Sequence, residues 1–189
     1  TGWGKMTKTG IGFLLILLLA LLGCGQQSTT SQKAVPHVGA WGTYVLNLST
    51  EDTTLILSSS ETISFLALSR GGTKFAFSQK VGGTAEANEE IFTINTDGTG
   101  LTRLTNNSSW DLYPSFSPDD SKLVYLSMPG TTLGLYTMNS DGTNSQVLYD
   151  SATSHEADPD WGSNDRIAFT RDSKIWSIKS DGTDIKQVT

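Results

Sequence analysis

From residue 43 onward the apolar residues fall in short runs, each closed by Gly, Pro, Asn, Asp or Ser. In the stretch 114–149 the runs are Leu123–Leu126, Leu133–Met138 and Val147–Tyr149, separated by Pro118-Asp119-Asp120-Ser121, Pro129-Gly130 and Asp141-Gly142. Proline presets φ for the second position of a turn, Asp hydrogen-bonds its own backbone, and Gly accepts positive φ, so these clusters predict strand ends. The pattern predicts strands at 113–117, 122–127, 133–139 and 145–149. The second is nearly continuous apolar, as in a strand covered on both faces. No helical period of useful length follows Leu22, and the chain reads as all-β.

The unit repeats. Residues 66–78 and 91–105 match its two halves upstream, and 159–170 and 175–189 match them downstream. Asp97, Asp141 and Asp181 each open an Asp-Gly-Thr triplet, spaced 44 and then 40 residues apart. Such a period suits four-stranded propeller blades. Residues 43–57 align without a gap on 135–149 and supply a half blade. Three fuller copies follow at 65–105, 113–149 and 158–189, about three and a half blades of four antiparallel strands.

These residues resemble the TolB-type, PD40 or WD40-like β-propeller repeat. Its first half is matched by Pro114, Phe116, Ser117, Pro118, Asp119 and the run Leu123–Tyr125, and again by Pro159, Trp161 and Ile167–Phe169. Its second half is matched by Ile91-Phe92, Asp97-Gly98 and Leu104-Thr105; by Leu135-Tyr136 and Asp141-Gly142; and by Ile175-Trp176, Asp181-Gly182 and Val188-Thr189. The resemblance covers 43–189 and implies a partial propeller. A closed propeller has four to eight blades, so residues 39–189 are expected to form the N-terminal part of a larger one.

The N-terminal segment has another character. Lys5 and Lys8 precede an apolar run, Ile11–Leu22, broken only by Gly12. About twelve residues are too few to span a bilayer and suit a secretory signal, with Met6 as the expected start and 1–23 as the signal peptide. Leu21-Leu22-Gly23-Cys24 resembles the bacterial lipobox, which implies a lipid on Cys24. Cys24 is the sole cysteine, so no disulfide forms within the chain. Residues 24–38 read as the lipidated cysteine and a flexible tether; His37 receives no role. The expected location is the bacterial cell envelope, periplasmic or on the outer surface, with the lipid anchor holding the chain to a membrane.

Net charge is −6, and without Lys5 and Lys8 eleven basic residues face nineteen acidic ones. An acidic surface repels phosphate backbones and argues against nucleic acid. Each Asp-Gly-Thr turn offers one carboxylate, too few for a calcium loop. Ser154-His155-Glu156 holds triad residue types, but adjacent loop residues cannot supply triad geometry. No nucleophile elbow, phosphate loop or Cys/His metal spacing occurs. The residues thus predict neither catalysis, metal nor cofactor.

Aligning Pro114 on Pro159 places Trp110 on His155, Asp111 on Glu156 and Tyr113 on Asp158. These six are expected just before the first strand of each blade, in the loop joining one blade to the next. The resemblance implies that this loop opens on the mouth of a central channel. A negative, aromatic-edged rim there would select cationic groups. The expected function is a non-catalytic binding or scaffolding module for a protein, peptide or envelope polymer. The alternative is the propeller part of a prolyl-oligopeptidase-like hydrolase whose catalytic domain lies beyond Thr189.

Overall fold

A computed structural model describes residues 41–46, 53–82, 88–151 and 153–189. The expected signal peptide with Met6, and Cys24 with the expected tether, lie outside the described residues. The described residues are all strand, turn and loop. They divide into two units, one ending at Ser60 and one spanning Glu61–Thr189. The first unit is an antiparallel hairpin of β1 (Trp41–Leu46) and β2 (Thr53–Ser59).

The second unit holds three four-stranded antiparallel sheets, each strand paired with the next in sequence. Blade one is β3 (Ile63–Leu68), β4 (Lys74–Val81), β5 (Asn88–Asn95) and β6 (Thr102–Arg103). Blade two is β7 (Trp110–Phe116), β8 (Lys122–Met128), β9 (Gly134–Asn139) and β10 (Gln146–Tyr149). Blade three is β11 (Glu156–Trp161), β12 (Arg166–Arg171), β13 (Lys174–Lys179) and β14 (Lys186–Gln187). In blade two the second to fourth strands fall within a residue or so of their predicted positions. The first strand starts earlier, at Trp110 in place of Tyr113, because pairing resumes upstream of an irregularity. Of the six residues expected in the connecting loop, Trp110, Asp111, Tyr113, Glu156 and Asp158 therefore belong to the strand itself, and His155 stands just before it.

One sheet cannot bury both of its faces alone; stacking solves this. Ala76 and Ile91 of blade one pack with Phe116, Leu123, Tyr125 and Met138 of blade two. On the other face of blade two, Leu112, Val124, Leu126 and Leu135 pack with Trp161, Ile167, Phe169 and Ile178 of blade three. The run Leu123–Ser127 is buried throughout, as its near-continuous apolar composition predicts.

The Asp-Gly-Thr triplets close the hairpins between third and fourth strands. In each, the carboxylate accepts the N–H and hydroxyl of the Thr two residues on, at 2.9 and 2.7 Å for Asp97 and at 2.9 and 2.6 Å for Asp141 and Asp181. These hydrogen bonds hold all three carboxyls below their ordinary range. Gly142, at φ 88°, is needed twice over. A Cβ there would stand 2.9 Å from the Leu104 carbonyl of the preceding blade.

Ile91, Leu135 and Ile175 hold equivalent places in the three blades. The first two are fully buried beneath the next blade, whereas Ile175 is 45% exposed. Leu135→Ala should cost about 2–5 kcal/mol in chemical denaturation, and Ile175→Ala less than about 0.5 kcal/mol. Equal losses would mean that blade stacking does not set the stability.

Candidate functional site at the inner edge of the blades

The first strand of each blade lies at the edge of its sheet, and the three converge. Each carries an irregularity at the same place, between Ser64 and Ala67, Leu112 and Ser115, and Ala157 and Asp160. The residue within it adopts a left-handed conformation: Phe65 at φ 52°, Tyr113 at φ 54° and Asp158 at φ 49°. For bulky Phe and Tyr this costs about 1–2 kcal/mol each, and such strain concentrates at functional positions. A bulge of this kind re-aims a side chain. Here the Phe65 and Tyr113 rings stack across two blades, centroids 3.6 Å apart and planes 28° from parallel. Burial, then Asp158 and then Glu89, raises the Tyr113 hydroxyl above its usual range.

Beyond the bulges lies a cavity of about 290 Å³ lined by Leu66, Pro114, Phe116, Pro159, Asp160 and Arg70, among others. The Arg70 guanidinium donates to the Trp161 carbonyl at 2.7 Å, linking blade one to blade three. Ser115 joins blades two and three, donating to Asp160 at 3.2 Å and accepting the Trp161 N–H at 3.2 Å. On the adjoining turn, Asp120 accepts the N–H groups of Arg70 and Gly71 at 2.6 and 2.8 Å.

Of the six residues expected at the rim, Trp110, His155 and Asp158 are exposed and Tyr113 is half-buried. Asp111 and Glu156 occupy equivalent places but are fully buried. Burial raises both carboxyls above their ordinary range. For Asp111 the nearby Ser127, Asn107 and Thr105 side chains oppose the rise. The exposed charge among these six is therefore that of Asp158, beside the aromatic pair. Ser154, His155 and Glu156 have separate surroundings: Ser154 donates to Asp172, His155 Nδ1 accepts the Leu133 N–H, and Glu156 is buried.

Sequence reasoning passed over Phe65, Arg70 and Ser115. Two signals were present. Phe65 aligns with Tyr113 and Asp158, and Arg70 stands in the turn where the other copies have Pro118 and Ser163.

The architecture defines a class: an all-β chain of stacked four-stranded blades whose first strands converge on a shared inner edge. Comparison with known proteins narrows it. The chain is 32% identical over 105 residues to a TolB homologue of Chlorobium luteolum, a match covering 53% of this chain and 24% of that protein. TolB from Acinetobacter baumannii superposes with a TM-score of 0.66 at 20% identity, over 77% of this chain and 37% of that one. A puromycin hydrolase superposes with a TM-score of 0.61 at 10% identity, over 75% of this chain and 24% of its own length. No family profile matches the chain. The chain is built of TolB-like propeller blades, and its match spans about a quarter of the curated relative's length.

The turn after each first strand gives a direct test. Gly72, Asp120 and Asp165 all take its left-handed position, at φ 68°, 59° and 60°. Asp120 bonds the turn of the preceding blade. Asp165 would meet Pro118 there, which has no N–H to offer. Asp165→Gly should be neutral or stabilising by up to about 1 kcal/mol. Asp120→Gly should destabilise by about 1–2 kcal/mol despite the same relief of strain. Denaturant midpoints that move alike would remove the interblade role of Asp120.

Proposed function

We propose that the chain is an envelope lipoprotein whose propeller blades act as a non-catalytic binding or scaffolding module for a protein or peptide partner. The observation that carries the reading is the strained aromatic pair of Phe65 and Tyr113 at the inner edge, with exposed Trp110, His155 and Asp158 on the same strands or beside them. Backbone strain held at equivalent places in three blades costs stability, and a recognition surface is the gain it supports. Half-buried aromatic rings next to a carboxylate favour cationic side chains such as Lys and Arg. A TolB-like fold supports a binding or scaffold role, and Leu21–Cys24 supports a lipid anchor at the envelope.

The second reading, the propeller portion of a hydrolase, draws on the likeness to puromycin hydrolase blades. It requires a catalytic domain in addition to the blades.

One experiment separates the two. In the full chain, a photo-cross-linker is placed at position 110 or, as a control, at the exposed outer-strand position 147. Cells are then fractionated without detergent, with and without Cys24→Ala. The binding reading expects membrane association that depends on Cys24. It also expects a protein adduct from position 110 but not 147, weakened roughly tenfold by Tyr113→Ala with Asp158→Asn. Adducts of equal yield from both positions would contradict the inner-edge site. Labelling of the purified protein by a serine-hydrolase probe would favour the second reading.

A further inference from the structure

Asp111 and Glu156 raise a question that partner binding does not answer. Both are fully buried and hold the equivalent place in consecutive blades. Asp111 stands opposite Ser127 and Glu156 opposite Arg171 in their sheets. The matching residue of blade one is Ile63, also buried, so the surroundings of this position accept an aliphatic side chain. A buried carboxylate needs a cation or several donors. Asp111 Oδ2 accepts one hydrogen bond, from Asn107 at 2.8 Å, and Oδ1 has no well-formed partner. Glu156 has no well-formed partner at either oxygen.

The charged neighbours do not compensate. Asp111 faces Glu90 across the junction with blade one, and the Tyr125 and Tyr136 hydroxyls of its own blade. Arg103, the cation nearest Glu90, is committed to it at 3.0 Å. Glu90 Oε1 also accepts the Asn107 and Asn88 donors at 3.0 and 2.9 Å, while its Oε2 lacks a partner too. Around Glu156, the Ser151 side chain and the Glu156 backbone favour ionisation, the Asp150 carboxylate opposes it and Arg171 favours it, but the Ser151 hydroxyl donates to the Ser154 carbonyl at 2.9 Å and burial outweighs them. The Arg171 guanidinium, however, lies over the Trp176 ring at 3.6 Å and donates to the Tyr149 hydroxyl. His155, one residue away, is exposed and turned to the Leu133 N–H.

We propose that Asp111 and Glu156 are carried as neutral carboxylic acids, and that loss of their protons loosens the junctions between blades one and two and between blades two and three. Asp111 lies against blade one, and the Glu156 N–H donates to the Leu133 carbonyl of blade two at 3.1 Å, so a charge at either place is felt across a junction. The direction follows from proton linkage. A carboxyl whose folded-state value is raised contributes stability in full below its unfolded value and loses it as pH rises through the folded value. The blades are therefore most cohesive in mild acid and loosen toward neutral and alkaline pH. This device is independent of what the inner edge binds.

The test uses the full chain and its Asp111→Asn, Glu156→Gln and double variants, with His155 present in all. Melting temperature is followed between about pH 5 and pH 8, and difference infrared spectroscopy reads the protonated carboxyl C=O band near neutrality. The wild type should lose roughly 3 °C or more across this range. The single variants should lose less and the double variant least. The wild-type C=O band should weaken in each single variant and vanish in the double. Parallel wild-type and double-variant melting profiles, or no protonated carboxyl band in the wild type near neutrality, would overturn the proposal. Should a variant fail to fold, the wild-type infrared band alone decides, its presence supporting the proposal and its absence refuting it.

Discussion

The structure depends on the burial of one sheet face against the next. A four-stranded blade here has two apolar faces and a core only one side chain thick. At roughly 25 cal/mol per Å² of apolar surface, neither face can be left in water without a large loss. Blade two shows the solution in full: Leu123 and Tyr125 pack with blade one while Val124 and Leu126 pack with blade three. Alternation along β8 thus sends successive side chains into two different cores. Blade three has one face less covered, where Ala168 of β12 and Ile175 of β13 are exposed at places that are buried in blades one and two.

The polar features follow from this stacking. The turns must let blades approach closely, which explains a glycine at 142 under the Leu104 carbonyl and the Asp120 carboxylate spanning two turns. The first strands converge, so their bulges bring Phe65 against Tyr113 and place Arg70, Ser115 and Asp160 around one cavity. Groups that would be solvated on an isolated sheet, such as Asp111 and Glu156, are enclosed because a neighbouring blade covers them. The aromatic inner edge and the buried acids are two products of one packing arrangement.

Much of the fold could be read from turn chemistry. Asp-Gly and Pro-Asp act locally, through φ and through a carboxylate bonding its own backbone, so three of the four strands of blade two were placed closely. The all-β class and the TolB-like repeat were legible for the same reason. The first strands were less so. Phe65 and Tyr113 are not residues that announce positive φ, and their conformation depends on packing from other blades. Burial of Asp111 and Glu156 was hidden similarly, since a charged residue beside Trp110 or His155 looks solvated until the neighbouring blade is in place. Arg70 reaches Trp161, ninety-one positions along the chain, and no local pattern encodes that.

Native-state hydrogen exchange, resolved strand by strand, tests stacking as the source of stability most directly. The account predicts that amides of β8 and β9, enclosed between two blades, exchange only through the largest opening of the domain. Those of β12 and β13 should exchange at markedly lower opening free energy. Equal protection in the two pairs of strands, or greater protection in β12 and β13, would contradict it.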